Sequence, residues 1–342
     1  MPPEPVKKAL ILVNVGTPES PDKRSVRCYL TEFLNDKKVI DLPWLARKIL
    51  VNLIIIPFRV RKSTALYRRL WTGKGSPLLV YMQSLVLKLR GMVPAGTDVF
   101  GAMRYGRPPL RSLLADLASL DYDEIKVLPL YPQYADSTTG SVIQLVESVK
   151  EKLSFKNDPV IIEQFWDHRS FIDVFAEKAE KLLPRSFDHI IFSYHGLPLR
   201  QVNKAHKGHD ASDCVCETRM PEWGQKCYKA TCYGTTRILA EKLKLEKDRY
   251  STAFQSRLTK NWLSPFTDET VKELATKGAG RILVIAPSFV TDCLETIVEI
   301  AGEYRDLFIE HGGKELVMVE SLNDSTRWAE AIIDITGIEE PQ

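Results

Sequence analysis

Ile190-Ile-Phe-Ser-Tyr-His-Gly-Leu-Pro198 holds, within nine residues, the transition that decides the fold class. The apolar run 190–193 is too continuous for a half-exposed strand and too short for a helix, so it reads as a strand buried on both faces, as in a parallel sheet. Pro198 ends it and Gly196 lets the backbone turn sharply; His195 is therefore expected to project beyond the carboxyl end of the strand. A neutral imidazole there can accept a proton near physiological pH or bind a transition metal. A hydrogen-bonded structural histidine would fit the same position.

Working outward, similar runs occur at 9–15, 125–130 and 281–286, with weaker ones at 98–103 and 159–162. Helical periodicity covers 110–117, 142–153, 172–182, 235–243, 268–275 and 291–304. Alternating β and α without a tandem repeat implies an α/β fold with a helix-covered parallel sheet in each half. At 342 residues the chain exceeds what one core usually fills. Two domains are expected, 1–165 and 166–342, with the last helix, about 325–335, packing back on the first. Ligand-handling residues in such sheets gather in loops past the strand ends. Those loops are Asn14-Val-Gly-Thr-Pro18, 131–140, 193–198 and 287–292. None is a G-x-G-x-x-G or G-K-[ST] phosphate cradle, which argues against nucleotide chemistry.

Composition is that of an ordinary globular protein, with 44% hydrophobic and 27% charged residues and a net charge of +3. That charge gives no reason to expect nucleic acid as a partner. No basic start followed by a long apolar core resembles a secretory signal, so the expectation is a cytoplasmic protein with its cysteines reduced.

The stretch Thr291-Asp-Cys-Leu-Glu-Thr-Ile-Val-Glu-Ile-Ala-Gly-Glu-Tyr304 carries four carboxylates and no Lys or Arg. At helical spacing Asp292, Glu295, Glu299 and Glu303 fall within a sector of about 80°. A solvated helix face normally mixes signs, and like charges four apart destabilise a helix. An uncompensated file of carboxylates makes sense if a cation or protons travel along it.

A different asymmetry spans 42–73, with seven basic residues (Arg47, Lys48, Arg59, Arg61, Lys62, Arg68, Arg69) and no acidic one. Among them lies Ile49-Leu-Val-Asn-Leu-Ile-Ile-Ile-Pro-Phe58, flanked by Trp44 and Trp71. The run is short of the roughly 20 residues that span a bilayer. It suits either a lip resting on an anionic membrane surface, such as the cytoplasmic face of an inner membrane, or a buried helix with basic flanks.

These residues belong to motifs that resemble the ferrochelatases in order and over residues 8 to 335. They are Leu12-Val-Asn-Val-Gly-Thr-Pro18, Gly75-Ser-Pro77, Ala102-Met-Arg-Tyr-Gly106, Tyr131-Pro-Gln-Tyr134, Ser137-Thr-Thr-Gly140, Ser193-Tyr-His-Gly-Leu-Pro198, Gln255-Ser256, Trp262-Leu263 and Asp292-Cys-Leu-Glu-Thr296. The resemblance implies two Rossmann-like domains with a porphyrin cleft between them, and insertion of ferrous iron into the porphyrin. It implies that His195 and Glu295 are catalytic and face the macrocycle from opposite sides. It also implies that Glu299 and Asp292 extend a metal or proton route, and that Arg104 and Tyr105 seat the ring. Two other readings are a cobalt or nickel chelatase of a sirohydrochlorin-type tetrapyrrole and a non-catalytic haem carrier. The chain departs from the family in having Cys293 where His is common and Ser264 where Gly is usual.

The third departure is Cys214, Cys216, Cys227 and Cys232, spaced C-x-C-x₁₀-C-x₄-C. Some ferrochelatases carry a [2Fe–2S] cluster, in the better-known arrangement mostly on cysteines near the C-terminus. Four thiolates are the usual complement of such a cluster. They could also hold zinc, while disulfides are disfavoured in a reducing compartment. The polar stretch 204–223 around them, with His206, His209, Asp210 and Asp213, shows no strong period and has little core of its own. A metal would staple it.

Overall fold

The computed structural model describes residues 6–206 and 210–338; His209 lies outside them. The chain divides into two compact units. The first contains residues up to Tyr131, Ala135–Gln164 and the chain from Asp324 onward; the second contains Pro132–Tyr134 and Phe165–Asn323.

In the first unit, strands β1 (Lys8–Asn14), β2 (Thr97–Met103), β3 (Glu124–Pro129) and β4 (Val160–Ile161) form a parallel sheet in the order β2-β1-β3-β4. Ala9 to Val13 of β1 are wholly buried, as the unbroken apolar run requires of a central strand. Each such Leu, Ile or Val contributes about 1.5–3 kcal/mol by leaving water. Helices α1 (Lys23–Leu34), α2 (Trp44–Ile49), α3 (Ile56–Leu70), α4 (Pro77–Arg90), α5 (Leu110–Ala118) and α6 (Thr139–Lys150) surround it. A π-helical stretch, Leu50–Ile55, joins α2 to α3.

The second unit repeats the plan with β5 (His189–His195), β6 (Tyr250–Gln255), β7 (Arg281–Ile285) and β8 (Glu315–Met318), ordered β6-β5-β7-β8 and all parallel. Its helices are α7 (Arg169–Glu180), α8 (Leu199–Val202), α9 (Tyr228–Lys242), α10 (Thr267–Thr276), a π-helix over Leu294–Tyr304, and α11 (Arg305–Glu310). The last helix, α12 (Thr326–Thr336), packs on α4 in the first unit, with Trp328 fully buried.

Both sheets end in loops whose close approach demands glycine. Gly16, at φ +111°, follows β1, and a Cβ there would lie 1.7 Å from the Tyr105 carbonyl oxygen. The loop after β1 is thereby laid against Arg104 and Tyr105, whose N–H groups donate to Asn14 O (2.8 Å) and Val15 O (2.9 Å). At Gly196 a Cβ would come within 2.8 Å of Gln255 O. That glycine lets the ends of β5 and β6 meet, and His195 pairs with Gln255 in register.

Candidate active site

His195 is the last residue of β5 and half-buried. Its Nδ1 lies 2.6 Å from the Gly196 carbonyl oxygen. A carbonyl can only accept, so Nδ1 carries the proton and Nε2 of the neutral ring keeps its lone pair. Trp262 and Phe289 flank the imidazole with ring centroids 6.4 and 6.3 Å away. The His195 carbonyl accepts from the Tyr228 hydroxyl at 2.8 Å, which anchors the strand end to the start of α9. The result is a fixed backbone that presents Nε2 as the basic nitrogen of the ring.

The acidic stretch differs from a regular α-helix. It is a wide, i→i+5 helix that begins at Leu294, so Asp292 precedes it and Cys293 caps it. Asp292 is buried and held reciprocally by Asn323: its N–H donates to Oδ1 (2.9 Å) and its Oδ2 accepts from Nδ2 (2.7 Å). Its Oδ1 has no hydrogen-bond partner among the described residues. Desolvation, with the Glu295 carboxylate adding, pushes the Cys293 thiol up.

Glu299 is the most heavily engaged of the four. Its carboxylate accepts from Gln255 Nε2 (3.0 Å), Ser256 N–H (2.9 Å), Ser256 Oγ (2.5 Å) and Tyr304 Oη (2.6 Å). Burial, with the adjacent carboxylate adding to it, pushes the Tyr304 phenol well up. Gln255 also donates to the Glu295 carbonyl (2.9 Å) and accepts from Ser193 Oγ (2.8 Å). It thus ties β5, β6 and the wide helix together. Glu303 is exposed.

Arg104 and Tyr105 follow β2 in the first unit. Tyr105 is fully buried, and its hydroxyl donates to Asp36 at 3.0 Å and meets Ser141 Oγ at 2.9 Å. Arg104 forms a buried ion pair with Asp36, which also accepts from Ser141 Oγ at 2.7 Å. Burial lifts the Tyr105 phenol well above its ordinary value. Nothing in the sequence signalled Asp36: it follows α1 in a short polar turn.

Three of the four cysteines in the polar segment come together, with a partner that sequence reasoning did not assign. Nε2 of the fully buried His206 lies 2.9 Å from Cys227 Sγ and 3.8 Å from Cys216 Sγ. The donor atoms of His206, Cys216 and Cys227 all lie within 4.8 Å of one another. Cys214 sits beside them, its thiol directed to Ala211 O at 3.5 Å. A hydrogen bond to Cys227 and burial raise the Cys216 thiol; the same bond lowers that of Cys227 against burial. Cys232 is fully buried within α9, where burial raises its thiol and the Tyr228 hydroxyl is its hydrogen-bonding neighbour. Thiols and an imidazole converging in a buried site form a donor set for a soft or borderline metal.

The segment from α2 to α3 carries a solvent-facing apolar surface. Phe58 is 81% exposed and Leu53 69%, and Trp44, Leu45, Ile49 and Ile54 are exposed with them. Arg59, Arg61 and Lys62 are exposed beside it. Arg47 instead turns inward and donates to Leu42 O at 2.8 Å. Among the described residues no helix is long and apolar enough to cross a membrane.

Two parallel four-stranded sheets bearing a histidine at a strand end and a carboxylate-rich helix define a chelatase-like fold. The chain is similar in fold to the sirohydrochlorin chelatase of Bacillus subtilis in complex with cobalt (TM-score 0.53, 9% identity, 97% of this chain and 94% of that one). It is also similar to a multi-domain Deinococcus radiodurans protein with structural similarity to chelatases (TM-score 0.51, 11% identity, 99% of this chain). It spans 56% of that protein. At these identities the likeness concerns the fold alone. Sequence is more specific. The ferrochelatase family model matches residues 7–339. Ferrochelatase from Legionella pneumophila strain Corby is 40% identical over 336 residues, covering 97% of this chain and 99% of its own. Ferrochelatase from Pseudomonas fluorescens biotype C is 40% identical over 328 residues, covering 95% and 96%. The chain belongs to the ferrochelatase family.

Proposed function

We propose that this protein inserts ferrous iron into a porphyrin, protoporphyrin IX in the first instance, releasing two protons and forming haem. The observation that carries this reading is full-length similarity to proteins named ferrochelatase, 40% identical over 97% of the chain. Iron and porphyrin are the substrates. A free-base porphyrin must lose two pyrrole protons as the metal enters, so the site needs a base and a proton exit. His195, whose Nδ1 is turned to the Gly196 carbonyl, supplies the base through Nε2. Glu295 faces the macrocycle from the other side and, with Asp292, passes the metal through weak oxygen ligands that release it readily. Glu299, ringed by the Ser256 and Tyr304 hydroxyls, is suited to moving protons along the same line. The Asp36-braced Arg104 and Tyr105 shape the wall that seats the ring. Binding energy from the periphery of the macrocycle favours the bent form whose nitrogens can accept iron.

Two further parts complete the reading. The apolar face from α2 to α3 rests on the anionic cytoplasmic surface of a membrane, where the apolar product and substrate partition. The segment bearing Cys214, Cys216, Cys227 and Cys232 holds a [2Fe–2S] cluster, with zinc as the alternative metal; thiol donors suit either. The cluster would supply a rigid electron-accepting staple for a loop with little apolar core.

Anaerobic incubation with protoporphyrin IX and excess ferrous iron tests the assignment. Many haems formed per chain are expected. Stoichiometric binding without turnover would indicate a carrier, and cobalt insertion into sirohydrochlorin alone would indicate the other chelatase class.

A further inference from the structure

We infer that Asn323 is a positioning residue for iron entry: it clamps Asp292 by one carboxylate oxygen and leaves the other, Oδ1, bare as the atom offered to the incoming ferrous ion. The inference rests on the reading of this chain as an iron-inserting enzyme in which Asp292 belongs to the metal route.

Asp292 needs a holder because the wide helix does not provide one. That helix begins at Leu294 with Cys293 as its cap, so Asp292 lies outside the register that sets the directions of Glu295 and Glu299. Asn323 supplies what the helix does not. Its own N–H donates to the Val290 carbonyl at 2.8 Å. Its Oδ1 accepts from the Asp292 N–H at 2.9 Å, and its Nδ2 donates to Asp292 Oδ2 at 2.7 Å. These three bonds fix both the backbone that leads into the helix and the rotation of the carboxylate before it.

Asn323 is itself held. It is buried and has φ +52°, in the left-handed region that asparagine tolerates better than most residues. The second hydrogen of its Nδ2 goes to Glu320 Oε1 at 3.2 Å. Lys178 pins that neighbour in turn, donating to Glu320 Oε2 (3.0 Å) and to the Ser321 carbonyl (2.6 Å). On the following side, Asp324 is bound by Ser84 and Lys88 of α4. Both amide hydrogens and the amide oxygen are thus engaged, and a flipped amide would lose all three bonds.

What the clamp leaves over is chemically specific. Asp292 is buried, yet its Oδ1 has no hydrogen-bond partner among the described residues. A buried carboxylate oxygen without a partner is costly, and a cation arriving there would remove the cost. The clamp is also neutral. A lysine or arginine at this position would hold the carboxylate equally well, but its charge would offset that of Asp292 and repel a divalent ion. An amide orients the group and leaves the negative charge for the metal. A single hard oxygen then binds iron weakly enough to let it pass on.

The test measures anaerobic haem formation by the full-length protein, varying ferrous iron at saturating protoporphyrin IX and the porphyrin at saturating iron. Asn323→Gly keeps the left-handed backbone and removes the side-chain bonds. It is expected to raise the KM for iron about tenfold or more, as the loss of a group supporting a metal ligand does. The porphyrin KM and kcat should stay within about twofold of the wild type. In an Asp292→Ala background the same substitution should add nothing, because it acts through Asp292. Asn323→Asp, equal in size and tolerant of the same backbone, cannot donate to Oδ2 and should also raise the iron KM; it carries the test if the glycine variant does not fold. An unchanged iron KM in a folded variant of either kind, or an equal rise with and without Asp292, would overturn the positioning role and leave the iron-inserting reading standing. A loss of kcat and porphyrin affinity in step with the melting temperature would do the same, as for a merely structural residue. Wild-type protein that binds porphyrin and forms no haem would sink both.

Discussion

The hydroxyl of Tyr228 donates to the backbone carbonyl of His195 across 2.8 Å, and the residue before Tyr228 is Cys227. One turn of α9 therefore touches both the strand end that presents the base and the thiols of the polar segment. The connection runs through backbone position, which is where disturbance of the metal centre would reach the chemistry. Tyr228→Phe removes that bond together with the hydroxyl's contacts to Ser288 Oγ (3.4 Å) and Cys232. A stability loss of about 0.5–1.5 kcal/mol is expected, with metal content unchanged and a several-fold fall in turnover. Thermal unfolding, iron analysis and an anaerobic haem-formation assay read these separately; full turnover would show the anchor to be dispensable.

His195→Ala should fold, because the side chain sits half-buried at a strand end, and should lose haem formation by about 10²-fold or more, as for removal of a general base. Porphyrin binding followed by fluorescence quenching should persist. Turnover near that of the wild type would exclude His195 as the base.

The carboxylates should separate by their surroundings. Glu303→Gln, at an exposed position, should change stability by no more than about 0.5 kcal/mol and leave turnover near normal. Glu299→Gln turns an amide N–H₂ toward donors it cannot accept from, costing about 1–3 kcal/mol as well as activity. Glu295→Gln should cost mainly turnover. Equal, small effects from all three, in denaturant titration and steady-state kinetics, would reduce the helix to an ordinary acidic surface.

The surface from α2 to α3 predicts co-sedimentation with vesicles containing anionic lipid. Leu53→Ser combined with Phe58→Ser should release the protein, because the two side chains are 69% and 81% exposed and support little of the fold. Raising salt should weaken binding by the wild type, as screening of Arg59, Arg61 and Lys62 requires. Wild-type protein that stays in the supernatant at low salt would show that the face serves something other than lipid.

Legibility in the sequence followed burial. The runs at β1, β5 and β7 are largely continuous and apolar because each strand is covered on both faces, and Lys126 alone interrupts the one at β3. Strand β6 reads Tyr-Ser-Thr-Ala-Phe-Gln and lies at a sheet edge, so its polar residues hid it. The acidic stretch was visible as composition, but its wide register was not, because a 100° spacing assumes an α-helix; Asp292 consequently sits before the helix. Four thiols stood out by spacing. His206, eight residues upstream of Cys214 in a segment without periodicity, could be assigned only once the backbone had folded. Asp36 and Tyr304 act through neighbours distant in sequence or in an unexpected register, and no local pattern marks either.

Glu299 and Tyr304 meet although five positions separate them, which an ordinary α-helix would set about 140° apart. The contact is thus written into the length of the segment as much as into its side chains. Removing one residue between the two would let a regular α-helix keep the same pair four positions apart. Counting that interval in a relative's sequence therefore tells whether its helix is wide or ordinary, and insertions or deletions of one residue become visible marks of ancestry at the site.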